Sequence, residues 1–115
     1  MKKEIRYELE GFMIGTDWYG HKGANHLLIK TDQQGLEKIK KEPLQDYIQF
    51  GLQSVDYVEL RVYRIEKYER KGYRITKETT EPTEEIIAGE FDLTEEEQDT
   101  LMELLLEPPD VIHYK

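Results

Sequence analysis

Two rhythms of apolar residues run along this chain. From residue 2 to 14, Ile5, Tyr7 and Leu9 alternate with Arg6, Glu8 and Glu10, the period-two pattern of a half-buried strand. Gly11 breaks the alternation, and Phe12 and Ile14 resume it in the opposite phase, which predicts a β-bulge at Gly11. Residues 15–25 contain Gly15, Gly20 and Gly23 and read as an irregular loop. A short apolar strand follows at 26–30, centred on Leu27, Leu28 and Ile29. The clearest strand spans 55–68, with Val58, Leu60 and Val62 on one side and Glu59, Arg61 and Tyr63 on the other. Glu69-Arg70-Lys71-Gly72 reads as a hairpin turn in which Gly72 supplies a positive φ. Tyr73, Ile75, Lys77 and Thr79 form the returning strand, and Glu81-Pro82-Thr83 turns the chain into a third strand from Glu85 to Phe91. Short connections predict an antiparallel meander of these three strands.

The helical rhythm appears twice. Thr31 followed by Gln34 matches a capping box, and Leu36 and Ile39 then share a helical face. Pro43 interrupts the pattern, and Leu44, Tyr47, Ile48 and Leu52 resume it, so 32–52 reads as one broken helix or two short ones. Thr94 and Glu97 form a second capping box, ahead of a stripe of Leu101, Leu104 and Leu105 that ends at Pro108-Pro109. Residues 108–115 read as a short tail whose Val111, Ile112 and Tyr114 dock on the domain or on a partner. The predicted fold is a single α+β domain over 1–115. Its order is β-β-α-β-β-β-α, an antiparallel sheet of about five strands with the helices packed on one face.

Composition sharpens this picture mainly through charge. Residues 1–77 carry 15 Lys and Arg against 12 Asp and Glu, whereas 78–115 carry 13 acids against the single base Lys115. The second segment is therefore at −12, beside a first at +3. With no cysteine in the chain, disulfides, thiolate metal sites and cysteine nucleophiles are excluded. Met1-Lys2-Lys3-Glu4 lacks an apolar signal region, and the longest apolar cluster, Leu101 to Leu106, is interrupted by Glu103. A cytoplasmic protein, with no membrane association, is the expectation.

Candidate chemistry is sparse. Asp17, His21 and His26 are the one set suited to acid–base or metal chemistry, yet their spacing matches no ligand or catalytic motif, so no enzyme, metal or cofactor is expected. In the same loop, Trp18 and Tyr19 are better suited to anchoring an interface. The glycines fit no phosphate-binding pattern, and the only serine, Ser54, lies in no nucleophile elbow. The hairpin 57–77 interleaves tyrosines with bases; Tyr63, Arg64, Tyr68, Arg70, Tyr73 and Arg74 form a candidate surface for RNA. Ordinary cross-strand pairing accounts for the same residues, and the −12 segment opposes direct contact with a polyanion.

The acidic segment carries the leading functional expectation. Glu96, Asp99, Glu103 and Glu107 recur at spacings of three and four and share one helical face, with no lysine to relieve their repulsion. Glu78, Glu81, Glu84, Glu85 and Glu90 extend the field onto the preceding strands and turn. Solvated acidic faces are common and often only aid solubility. Rows of carboxylates also imitate a phosphate backbone. A short, cysteine-free, acidic α+β chain with such rows resembles the small inhibitors encoded by phages and mobile elements, of the anti-CRISPR and anti-restriction kind. That resemblance implies a non-enzymatic protein of the host cytoplasm that occupies the basic surface of a nuclease or its guide complex. The partner-binding residues expected here are Glu96, Asp99, Glu103 and Glu107, with Trp18 and Tyr19 as apolar anchors. The alternatives are a housekeeping interaction domain or homodimer, formed through the 73–80 or 85–91 strand edge or the Leu-rich helix, and the RNA-binding hairpin.

Overall fold

A computed structural model describes residues 3–44, 52–90 and 94–114. Among the described residues, six strands and two helices follow one another as β1 (Lys3–Thr16), β2 (Lys22–Thr31), α1 (Gln33–Lys41), β3 (Ser54–Arg70), β4 (Tyr73–Glu78), β5 (Glu84–Gly89), α2 (Glu95–Leu106) and β6 (Asp110–His113). The α+β class stands, but the sheet is mixed, and its wiring departs from the predicted meander.

β3 is the spine of the sheet. Seventeen residues at about 3.3 Å each span roughly 55 Å, which matches the 55 Å long axis of the molecule. One edge of β3 pairs with β1 from Lys3↔Tyr68 to Thr16↔Ser54. Its other edge is too long for the six residues of β4, which cover only Ile65 to Arg70. β5 therefore pairs with β3 as well, from Tyr57↔Gly89 to Val62↔Glu84, rather than with β4. The excursion between them is pinned at both ends. The Thr79 amide donates to the Arg64 carbonyl at 3.1 Å, and the Thr83 amide to the Val62 carbonyl at 2.7 Å. Pro82, which has no N–H to contribute to a ladder, sits in the gap. The Lys71-Gly72 turn takes positive φ at both positions, +52° and +82°, as a tight two-residue hairpin requires.

The phase change in β1 is not a bulge at Gly11. Pairing runs unbroken through Gly11, opposite Leu27 on β2 and Leu60 on β3. The irregularity lies instead between Ile14 and Gly15, where β3 carries the extra residue Asp56. What looked like a shift of phase is burial of both faces. Leu9 and Met13 enter a core with Leu27, Ile29, Val58, Leu60 and Val62 beneath Leu36 and Ile39 of α1. Phe12 and Ile14 point the other way, to Tyr57 and to Leu101 and Leu104 of α2. The helices thus cover opposite faces, not one. A Cβ on Gly11 would overlap the Glu59 carbonyl oxygen of β3. Gly11→Ala is accordingly expected to lower stability by about 2–3 kcal/mol, read as a shift of the urea midpoint.

Local chemistry explains the remaining differences. β2 begins at Lys22, so the irregular stretch predicted over 15–25 shrinks to a tip at residues 17–21. The first helix is capped by Asp32, whose carboxylate accepts from the Gly35 amide at 2.9 Å, and not by Thr31. Thr31 is instead buried at the end of β2, where its hydroxyl donates to the Tyr114 carbonyl. Tyr114 directly follows β6, a parallel neighbour of β2 from Leu27↔Asp110 to Lys30↔His113. The predicted tail is therefore a sixth strand, with Ile112 and Tyr114 against the main core and Val111 exposed. Leu44 and Leu52 also join that core, whereas Tyr47 and Ile48 of the predicted second helix, and Phe91 of the third strand, lie outside the described residues.

Candidate interaction surface on the second helix

α2 starts on the predicted capping box. Thr94 Oγ1 accepts from the Glu97 amide at 3.2 Å, and the Glu97 carboxylate accepts from the Thr94 amide at 3.3 Å. Glu95, Glu96 and Glu97 favour the positive end of the helix dipole. Leu101 is buried against Ile14 and Tyr57, and Leu104 completes the contact with Phe12 and Ala24. At the far end the His26 ring closes the joint. Its Nδ1 donates to the Glu107 carbonyl at 3.0 Å, and its Nε2 lies 3.6 Å from the Glu10 carboxylate. A buried imidazole held between a helix C-terminus and a carboxylate serves to dock α2.

Burial pushes the Tyr57 hydroxyl above its ordinary value of 10, and the Glu59 carboxylate that accepts its hydrogen bond at 3.2 Å adds to the shift. A raised folded value means that this group's contribution to stability is complete below pH 10 and is lost as pH climbs from there through the folded value. Tyr57→Phe is therefore expected to flatten the alkaline limb of the stability profile. Urea midpoints measured for both proteins at neutral and alkaline pH check this.

With Leu101 and Leu104 turned inward, the acid row faces out. Glu96, Asp99, Glu103 and Glu107 are all exposed, and none of them is in an ion pair among the described residues. Acids elsewhere are differently placed. Glu84 pairs with Lys40 of α1 at 3.1 Å, and Glu85 lies 3.9 Å from Arg61. Glu84 and Glu85 thus do not extend the free acidic field as expected, whereas Glu78, Glu81 and Glu90 are exposed and in no ion pair among the described residues. The hydrogen bond and charge of Glu84 in turn raise the pKa of Lys40 above its usual value.

Two apolar side chains share the acidic face. Met102 is 66% exposed and Leu106 is 87% exposed. They lie three residues after Asp99 and Glu103 and outside the predicted stripe of Leu101, Leu104 and Leu105, but their exposure is decided only by the side of the helix that meets the sheet. Beside α2, Ile14, Ala24, Leu101 and Leu104 floor a groove of about 430 Å³, rimmed by Lys22, Glu96 and Glu97.

The β1–β2 tip rises at the same end of the sheet, from Thr16 to Lys22. Asp17 organises it by accepting from the Tyr19 and His21 amides, each at 2.9 Å, while Gly20 takes φ of +82°. Trp18 is 69% exposed and Tyr19 87%, so neither covers the core edge. Asp17, His21 and His26 are not assembled into one site. The Asp17 carboxylate holds its own turn, His21 is exposed at the tip, and His26 is buried under α2. Among the described residues no group of three or more His, Asp or Glu is placed to hold a metal ion.

The RNA-candidate residues divide between the two faces of the sheet. Arg64, Tyr68, Arg70 and Tyr73 share one face by their registers with β1 and β4, while Tyr63 and Arg74 lie on the other. No known protein family, curated protein or solved structure matches the chain. Among the described residues no helix is long and apolar enough to cross a membrane.

Proposed function

We propose that this is a non-enzymatic binding protein whose outward α2 face engages the basic, nucleic-acid-binding surface of a nuclease or its guide complex, and so excludes DNA or RNA. The observation that carries the reading is the acid row Glu96, Asp99, Glu103 and Glu107, exposed and in no ion pair among the described residues, with Met102 and Leu106 exposed along it. Carboxylates of this kind speed and orient association, whereas apolar side chains that become buried supply most of the affinity. A purely solubilising helix needs only the first. Trp18 and Tyr19, on a tip whose turn is hydrogen-bonded to the Asp17 carboxylate, add aromatic anchors at the end of the sheet that α2 covers.

The test is competition. Guide-loaded CRISPR nucleases and restriction nucleases are titrated with the protein, and retention of labelled target DNA is followed. Displacement of DNA, without chemical change to either partner, supports the reading. Binding to a nuclease that leaves its DNA affinity intact would contradict exclusion as the mechanism.

A further inference from the structure

Beyond the helices the sheet continues as a bare arm. Residues 3–7 of β1, 64–70 of β3 and 73–78 of β4 pair with one another, and neither core cluster places a helix over the stretch from Lys67 to Lys77. An uncovered ribbon of this kind has little apolar burial to hold it, so its surface chemistry calls for another explanation.

The charges on the arm are sorted by face. Register puts Glu4, Arg6, Lys67, Glu69, Arg74 and Glu78 on one side, three acids against three bases. The opposite side holds Lys3, Arg64, Arg70 and Lys77 against the single acid Glu66. Ion pairs agree with this division: Glu66 meets Arg64 at 2.8 Å and Lys3 at 3.5 Å, whereas Arg6 meets Glu4 across the other face. The aromatic residues are sorted as well. Tyr68 and Tyr73 lie on the basic side, together with Ile5 and Ile75, and Tyr73 is 74% exposed. Tyr68 pairs with Ile75 and Arg70 with Tyr73, so the two rings are diagonal neighbours, roughly 7–8 Å apart at the backbone.

This basic face is also the one that α1 covers further along, since Tyr7, in register with Arg64, donates to Gln33 of α1 at 2.7 Å. Acidic α2 packs on the reverse face, against the other end of β1. The α2 carboxylates therefore lie on the reverse of the sheet from this basic face.

We propose that the basic face of the β3–β4 arm binds single-stranded nucleic acid, with Arg70 and Lys77 on phosphates and Tyr68 and Tyr73 stacked on bases. The exposed ring of Tyr73, beside the half-buried Tyr68, favours unpaired bases, because the bases of a duplex are already stacked. Basic side chains around them track the backbone between stacked nucleotides. The inference stands independently of the α2 reading, since the two surfaces share no residue.

Fluorescence anisotropy with labelled single-stranded RNA and DNA of one sequence, their duplex, and polyglutamate tests it. Both single strands are expected to bind at low salt, with affinity falling steeply as salt rises, and the RNA/DNA ratio shows which source is preferred. Tyr73→Ala or Tyr68→Ala should weaken binding by about fivefold to a hundredfold, while Arg74→Ala and Lys67→Ala, on the reverse face, should change it less than about twofold. Reversal of the α2 acids should leave it intact, which separates failure of this inference from failure of the proposed function. Equal loss from substitutions on either face, tighter binding of duplex or polyglutamate, or no binding of either strand would overturn it.

Discussion

Replacing Glu96, Asp99 and Glu103 together by lysine is expected to lower affinity for the basic partner by about a hundredfold or more. Two unit charges 4 Å apart interact by about 1 kcal/mol even in bulk water. Each reversal removes one such attraction and adds one repulsion, so three give roughly 6 kcal/mol before screening. A factor of a hundred needs less than half of that, about 2.7 kcal/mol. The fold should tolerate the change. All three side chains are exposed and in no ion pair among the described residues. Lysine at Glu96 loses a favourable dipole contact, the 96/99 and 99/103 pairs exchange carboxylate for ammonium repulsion, and the 103/107 pair becomes attractive, so these small terms largely offset. An unchanged urea midpoint beside lost affinity is the expected pair of results. Met102→Ser with Leu106→Ser should act differently, by raising the dissociation rate more than it slows association.

The second large effect concerns the two cores. Leu60 has no exposed surface and lies between Gly11 of β1 and Ile86 of β5. Leu60→Ala is expected to cost about 3–5 kcal/mol, because strands on both sides hold the cavity open. That is a large part of the stability of a domain this size. Among the described residues, Leu101 sits in a cluster with Ile14 and Tyr57 as its other buried members. Leu101→Ala is expected to cost about 2 kcal/mol, at the low end of such substitutions, since α2 can shift inward. The two variants should also differ in where they loosen. Hydrogen exchange in Leu101→Ala should rise in α2 and leave β1–β3 protected, whereas Leu60→Ala should lower protection throughout the sheet. Equal costs and equal exchange patterns would contradict two separate cores.

Much of this was written in local pattern. The alternation of Val58, Leu60 and Val62 located the spine, Gly72 located a hairpin turn, and Thr94 with Glu97 located the start of α2. What was not legible depends on long-range choices. Phe12 and Ile14 look like a phase error until α2, more than eighty residues later, covers the reverse face. Thr31 looks like a helix cap until Tyr114 takes its hydroxyl. Glu84 and Glu85 look like part of an acidic field until β5 crosses to β3 and meets Lys40 and Arg61. The candidate surface followed the same rule. The acid row was visible as a helical spacing, but the exposure of Met102 and Leu106 depended on which side of α2 met the sheet.

The central claim, that the α2 face is an electrostatically guided interface, is tested most directly by the association rate constant with a guide-loaded nuclease, measured across salt for the native protein and the triple reversal. A steep fall with salt for the native protein, and a slow, nearly flat or rising dependence for the variant, is the expected result. The same rate and the same salt dependence for both proteins would contradict it.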